Sequence, residues 1–276
     1  MPEGHSIRFM GNLHSNAFSN KTLTITSPQG RFTEGAAKID QKQLTDVTTH
    51  GKHLFLHFAD DIVHIHLGLY GWFELSKNPK QQPKDSIRMR IQTDYAPFDK
   101  DLTTYVSDLV GPTVCKLVSK EEMEAKRLKL GADPLREDAN PELAWEAIHK
   151  SKRTIGELLM DQSVFAGIGN VYRAELLFLS RLDPYISGNN LSKSTFNEIW
   201  NNAKTLLAEG SIDGSIRTVK QKHLQPNECS QTGCAQTSYV YKRHGQNCRV
   251  CNNIIKMNEL KARMLYWCDN CQVKID

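Results

Sequence analysis

Four cysteines near the C-terminus, Cys248, Cys251, Cys268 and Cys271, stand as C-x2-C-x16-C-x2-C. Two thiolate pairs at that spacing close a tetrahedral Zn²⁺ site. With all four positions filled by sulfur none remains for a reactive water, so the metal is expected to be structural. The other end of the chain offers a nucleophile. Pro2 follows a methionine whose removal a small second residue permits. The secondary amine so exposed has a reference pKa of about 7.7–8.0, against about 10.4 for lysine, and is partly neutral near pH 7. An iminium built on a secondary amine has no N–H proton to lose, so it stays cationic and draws electrons from the neighbouring carbon. Glu3, the next residue, is placed to move a proton for that amine. Two further segments suit anions: Gly51-Lys52, between two alternating stretches, and Gly167-Ile168-Gly169-Asn170, a glycine-rich turn that feeds a helix and presents unpaired N–H groups.

The elements that must position these groups follow from periodicity. Residues 1–118 read mostly as strands. Leu54, Leu56 and Phe58 alternate with His53, Phe55 and His57; Val63, Ile65, Leu67 and Leu69 alternate with His64, His66 and Gly68; Ile87, Met89 and Ile91 alternate with Arg88 and Arg90. Ser76 to Asp85, rich in proline and lysine, reads as an exposed loop. From Ser119 the period becomes helical. Ser119-Lys120-Glu121-Glu122 opens one helix with a capping box, and Asn140-Pro141-Glu142 opens another. Further helices are expected at Ile155–Asp161, Val171–Leu182 and Lys193–Glu209, and a mobile loop at Gly210–Thr237. The fold class is α+β: a β-sandwich over 1–118, a linker helix over 119–131, a helical domain over 132–237 and a zinc ribbon over 238–276.

Composition narrows the function. The chain has 276 residues, 39% hydrophobic and 24% charged, enough for about two domains. No apolar run approaches a membrane span and no secretory signal opens the chain, so a cytoplasmic location is expected. Seven cysteines cannot pair completely, which leaves Cys115, Cys229 and Cys234 as expected free thiols. The net charge is +4, yet residues 215–276 hold ten Lys/Arg against four Asp/Glu, a surplus of 6 that leaves the rest at −2. Positive charge gathered around a small metal-stapled module is the footprint of a phosphate-backbone binder.

Pro2-Glu3-Gly4, Gly51-Lys52, the Gly167–Asn170 turn and the four-cysteine ribbon, in that order, resemble the formamidopyrimidine-DNA glycosylase and endonuclease VIII family across the whole chain. The Pro-Glu-Gly opening is more similar to the endonuclease VIII branch. Gly51-Lys52-His53-Leu54, His66-Leu67-Gly68-Leu69-Tyr70-Gly71 and Gly111-Pro112-Thr113-Val114-Cys115 look like its actinobacterial members. The resemblance implies a monomeric, bacterial base-excision enzyme that removes oxidised bases, pyrimidines preferred, from double-stranded DNA and then cuts the strand. Pro2 would attack C1′, Glu3 would protonate the sugar ring oxygen, Lys52 would hold a phosphate and assist elimination, and Arg263 would serve the second elimination. Asn170 and Lys129 would contact phosphates, and Leu69 and Tyr70 would fill the space a flipped base leaves.

The sequence departs from that pattern in three places. Gly68 stands where better-known endonuclease VIII enzymes carry a glutamine that faces the orphaned base. Lys129 replaces an arginine, keeping charge but losing the planar fork. Met264-Leu265 follows Arg263 where relatives have small or polar residues. Two other readings stay open: a lyase that acts mainly on abasic sites, and a zinc-ribbon protein that binds damaged DNA without chemistry.

Overall fold

Ile7, Gly11, His14 and Phe18 recur at helical spacing, and in the computed structural model, which describes residues 2–78, 82–93, 103–229, 231 and 234–273, all four are buried along one face of helix α1 (Gly4–Phe18). This helix replaces the strand expected at the start of the chain. The described chain divides into two compact units, Met1–Pro2 with Met10–Leu128, and Glu3–Phe9 with Lys129–Asp276.

In the first unit the elements after α1 are β1 (Thr22–Thr26), α2 (Thr33–Ile39), β2 (Lys42–Gln43), β3 (Asp46–His50), β4 (His53–Phe58), β5 (Asp61–His66), β6 (Trp72–Lys77), β7 (Ile87–Thr93), β8 (Tyr105–Val110), β9 (Val114–Val118) and α3 (Lys120–Arg127). They form two antiparallel sheets, β2-β1-β7-β8-β6 and β3-β4-β5-β9. The alternation in β7 is the expected one, with Ile87, Met89 and Ile91 buried and the two arginines between them half-buried. Helix α1 touches both sheets: a Cβ on Gly11 would lie 3.0 Å from the Thr49 methyl of β3, while His14 meets Ser107 and Phe73 of the other sheet. The Ser119 capping box opens α3, and Met123 on that helix packs with Phe55, Ile62 and Val118.

Two strand limits differ from expectation. β6 runs on to Lys77, into the segment read as loop, of which residues 79–81 lie outside those described. β5 stops at His66 rather than Leu69, because Gly68 adopts a φ of +69° that no ladder residue uses.

The second unit continues with α4 (Pro141–His149), capped by Asn140 with Pro141 at its first turn, α5 (Ile155–Leu158), α6 (Asn170–Leu179) and α7 (Lys193–Asp213), and closes on the antiparallel hairpin β10 (Lys256–Leu260) and β11 (Arg263–Trp267). α7 passes Glu209 and ends at Gly214, whose left-handed φ of +78° stops it. The following segment is not the unpatterned loop expected. Arg217 bridges to Thr237, residues 221–223 form a 3₁₀ turn, and Cys229 and Cys234 form a disulfide, which corrects their reading as free thiols. Cys115 is a free thiol as expected. No helix among the described residues is long and apolar enough to cross a membrane.

Helix α6 is the unit's central beam. Nine of its ten residues are buried, among them the charged Arg173 and Glu175. Glu175 is fully buried, and its carboxylate accepts the N–H groups of Tyr239, Val240 and Tyr241 at 2.7–2.9 Å together with the Thr218 hydroxyl. A buried carboxylate is tolerable only when so satisfied. Here it ties both ends of the 218–239 segment to one helix.

Buried histidines make the first unit acid-sensitive. The His14 Nδ1 lies 2.7 Å from the Met10 carbonyl and Nε2 lies 2.8 Å from the Ser107 hydroxyl, a pairing met by the neutral ring with its proton on Nδ1. Burial pulls the His14 pKa from 6.5 down to about 4. The unfolded chain therefore binds the proton first as pH falls, so this contribution is complete above about pH 6.5 and is lost progressively towards pH 4. At roughly 1.4 kcal/mol per unit the loss from His14 amounts to about 3 kcal/mol. Urea unfolding of His14→Gln against the unmodified protein, followed through that window, is expected to show a shallower decline in the variant; parallel declines would exclude His14 as the source.

Candidate active site

Glu3 joins the starts of two helices. Its backbone carbonyl accepts from the N–H groups of Ser6 and Ile7, which caps α1, and its own N–H donates to the Ser6 hydroxyl. Its side chain, fully buried, reaches the N-terminus of α6. There Gly169 N–H donates to Oε2 at 3.0 Å, Val171 N–H to Oε1 at 2.8 Å and Tyr172 N–H to Oε2 at 3.4 Å. Three N–H groups thus converge on one carboxyl at the start of a helix. Gly4 N–H donates to the Gly167 carbonyl at 2.8 Å, so Glu3 and Gly4 lie directly on the Gly167–Asn170 turn. Gly169 is needed for space rather than for an unusual φ: a Cβ there would sit 2.4 Å from the Glu3 carboxyl carbon. Pro2, the residue before Glu3, is half-buried.

Asn170 begins α6 but does not leave its side chain open. Its Nδ2 donates to the Met264 carbonyl at 2.9 Å and its Oδ1 accepts from Arg173. Arg263, exposed, starts β11 immediately after the turn Lys261-Ala262, where both residues have left-handed φ, 52° and 57°. Such a two-residue turn suits the twist of a hairpin but normally uses Asn-Gly. Without glycine it stores on the order of 1–2 kcal/mol at each residue.

Of the remaining expected residues, Lys52, Leu69 and Tyr70 lie in the first unit and Lys129 in the second. Lys52 is half-buried in the β3–β4 turn, where Gly51 takes a φ of 55°. Its charge lowers the His66 pKa, after burial itself as the larger cause. Leu69 and Tyr70 protrude from the turn after β5, 43% and 82% exposed, as side chains that could fill a gap between bases would. Gly68 in the same turn has room for no other residue: besides its positive φ, a Cβ would meet the Thr113 hydroxyl at 1.9 Å. Lys129 is exposed on the turn after α3, and among the described residues nothing joins it to the others.

Cys248, Cys251, Cys268 and Cys271 come together with all sulfurs within 4.8 Å of one another, the one such group able to hold a metal ion among the described residues. The Cys248–Cys271 and Cys251–Cys268 sulfurs are 3.8 and 3.4 Å apart. Zn–S bonds of about 2.3 Å in a tetrahedron require sulfurs about 3.8 Å apart, so the donor set fits zinc. The Val250 N–H points at the Cys248 sulfur at 3.4 Å, as a thiolate acceptor needs. His64 and His66 join no such group.

Sequence reasoning missed Arg173 and Glu175. Two charges inside the otherwise apolar run Asn170–Leu179 were the available signal, since a charge on a buried helix must have a partner or a purpose.

Two outcomes follow from this geometry. Gly169→Ala is expected to lose about 2–4 kcal/mol in urea unfolding, because the new methyl displaces Glu3 and strands its N–H partners; an unchanged midpoint would mean the carboxylate is not held there. Metal analysis is expected to return one zinc per chain, and its removal by a chelator to lower the thermal midpoint and change the fluorescence of Trp267, which lies next to Cys268. A protein indifferent to chelation would rule out a structural metal.

Comparison with known proteins agrees with this architecture. Residues 1–108 match the formamidopyrimidine-DNA glycosylase N-terminal domain and residues 130–221 the formamidopyrimidine-DNA glycosylase H2TH domain. A Mycobacterium tuberculosis protein named Endonuclease 8 1 is 39% identical over 277 residues, covering 99% of this chain and 100% of the relative. Endonuclease 8 of Escherichia coli is 29% identical over 283 residues, with the same coverage of each. In fold, the chain is similar to Lactococcus lactis Fpg solved with DNA containing an abasic site, at a TM-score of 0.76 and 19% identity, covering 99% of this chain and 100% of that one. The chain belongs to the formamidopyrimidine-DNA glycosylase and endonuclease VIII family of DNA glycosylase/AP lyases.

Proposed function

We propose that this enzyme excises oxidised pyrimidines from double-stranded DNA through a Schiff base on Pro2 and cuts the strand by β,δ-elimination, working as a monomer. The observation that carries the reading is the Glu3 carboxylate, fully buried, on the residue next in sequence to Pro2, and held by three N–H groups. With Met1 removed, the Pro2 nitrogen attacks C1′ and the glycosidic bond breaks, the electron pair leaving with the base. Glu3 takes the proton that the amine loses and delivers it to the ring oxygen as the sugar opens. The cationic iminium then makes the C2′ proton acidic. Its loss expels the 3′ phosphate, a second elimination expels the 5′ phosphate, and water releases Pro2.

The other residues hold the charged backbone for these steps. Lys52 binds a phosphate and assists elimination. Arg263 places a planar guanidinium on the departing phosphate. Asn170 contributes its backbone N–H, which is not among those Glu3 takes, at a helix N-terminus suited to an anion. Lys129 adds a further phosphate contact, and Leu69 and Tyr70 occupy the stack when the damaged base is extruded. Zn²⁺ on the four cysteines fixes the ribbon that carries Arg263 and takes no part in the chemistry. The absence of any side chain at Gly68 favours one variation, in which abasic sites are a major substrate, because the turn offers no group there to read the opposite base.

Borohydride trapping on duplexes with thymine glycol, 8-oxoguanine or an abasic site tests the proposal. A covalent adduct with thymine glycol, abolished by Pro2→Gly and reduced at least 100-fold by Glu3→Gln, is the expected result, roughly the effect of losing positioned proton transfer. Trapping at the abasic site alone would leave only the lyase, and tight binding with no adduct would leave only a damage-binding protein.

A further inference from the structure

Arg173 is the one arginine of the second unit with 1% exposure, so it cannot reach DNA. It nevertheless points at the site. Its Nη2 donates to the Asn170 Oδ1 and, at 3.1 Å, to the Met264 carbonyl, the same carbonyl that accepts from the Asn170 amide. Two donors from the first turn of α6 thus converge on the peptide that follows Arg263. The hairpin needs such a clamp. Its turn, Lys261-Ala262, holds two non-glycine residues at left-handed φ, a geometry that relaxes to a wider loop unless a flank is fixed. The partner strand, through Leu260↔Arg263 and Glu259↔Met264, fixes the register but not the direction from which α6 holds it.

The electrostatics have the same sense. The hydrogen bonds of Arg173 go to the neutral Asn170 amide and Met264 carbonyl, and its Nε is buried without a hydrogen-bond partner. Desolvation lowers its pKa to about 10, opposed by Glu3 and reinforced by the positive charge of Arg263. A buried cation held by neutral acceptors is costly. An anion seated on Arg263 would relieve both guanidinium groups at once, whereas an apolar residue at 173 would give the anion nothing.

From this geometry we infer that Arg173 is a positioning residue for Arg263: it fixes the Met264 peptide from inside the protein so that the Arg263 guanidinium meets a DNA phosphate during the second elimination. The inference rests on the role proposed above for Arg263. Arg173 acts on the placement of that side chain and takes part in no bond change itself.

The test is a double-mutant cycle on full-length protein with abasic DNA, reading the ratio of δ- to β-elimination ends and, in the same samples, borohydride trapping. Arg173→Met is expected to lower the δ/β ratio about tenfold or more, and added ethylguanidinium to restore part of it. Arg263→Ala is expected to lower the ratio as far or further, with the double variant no worse than Arg263→Ala alone. Multiplying losses in the double variant would overturn the inference. So would a fall in trapping that matches the fall in the δ/β ratio, since that is the signature of a purely structural role. An unchanged ratio in Arg263→Ala would remove the Arg263 assignment and this inference together, whereas an impaired Arg263→Ala beside an unaffected Arg173→Met would remove the inference alone.

Discussion

A single carboxylate organises the second unit from its edge inward. Glu3 caps α1 with its main chain and α6 with its side chain, so two helix N-termini, each with orphan donors, are satisfied by one residue. Neither could be buried otherwise, because an unpaired N–H in the interior costs about 1–3 kcal/mol. The arrangement also needs an empty position opposite, which Gly169 supplies. From the end of α6 so fixed, Asn170 and Arg173 hold the Met264 carbonyl, and one turn further Glu175 gathers the N–H groups of residues 239–241. The functional residues of this unit are therefore attached to one helix by hydrogen bonds to charged or amide side chains, which fix direction in a way that apolar packing does not.

The apolar contacts do a different job. Ile155, Leu158, Phe165, Leu176, Leu177, Phe196 and Leu207 fill the space around α6 and supply its stability, but they would accept many rotations of the helix about its axis. The four-cysteine cluster is equally local. Its two cysteine pairs close the ends of the ribbon, and the hairpin they bracket meets α6 through the Met264 carbonyl and the helical core through Leu265. In the first unit His14 takes a comparable part: a polar group between α1 and a strand, paired on both ring nitrogens, specifies how the helix lies on the sheet.

What could be read from the sequence was what depends on neighbours in sequence. The cysteine pairs, the Ser119 capping box, Asn140-Pro141, the alternation in β7 and the glycine in the Lys52 turn are all local patterns, and each took the expected form. What escaped depends on distant partners or on a single backbone angle. The burial of Ile7, Gly11, His14 and Phe18 had helical spacing, but with a glycine and a histidine among the four it carried little apolar signal. The stop of β5 turned on the φ of Gly68, and the pairing of Cys229 with Cys234 on how the 218–239 segment is folded. The side chain of Asn170 was expected to face a phosphate; its engagement with Met264 comes from a residue 94 positions away. The charges inside α6 drew no expectation, and their partners, Met264 and residues 239–241, lie far along the chain.

The double duty of Glu3 limits how its substitution can be interpreted. A glutamine at position 3 keeps the length of the side chain but replaces one acceptor oxygen with an NH₂ group, which would oppose whichever N–H of Gly169, Val171 or Tyr172 it faced. The start of α6 would then shift together with the loss of a titrating group. Because Asn170 and Arg173 ride on that same turn, the change would also reach the Met264 peptide and Arg263. On the proposed mechanism, a defect at Glu3 is therefore assigned to chemistry only when the geometry around Met264 is shown to persist. In the proposed mechanism the residue that handles the proton is also one that the fold holds by three hydrogen bonds.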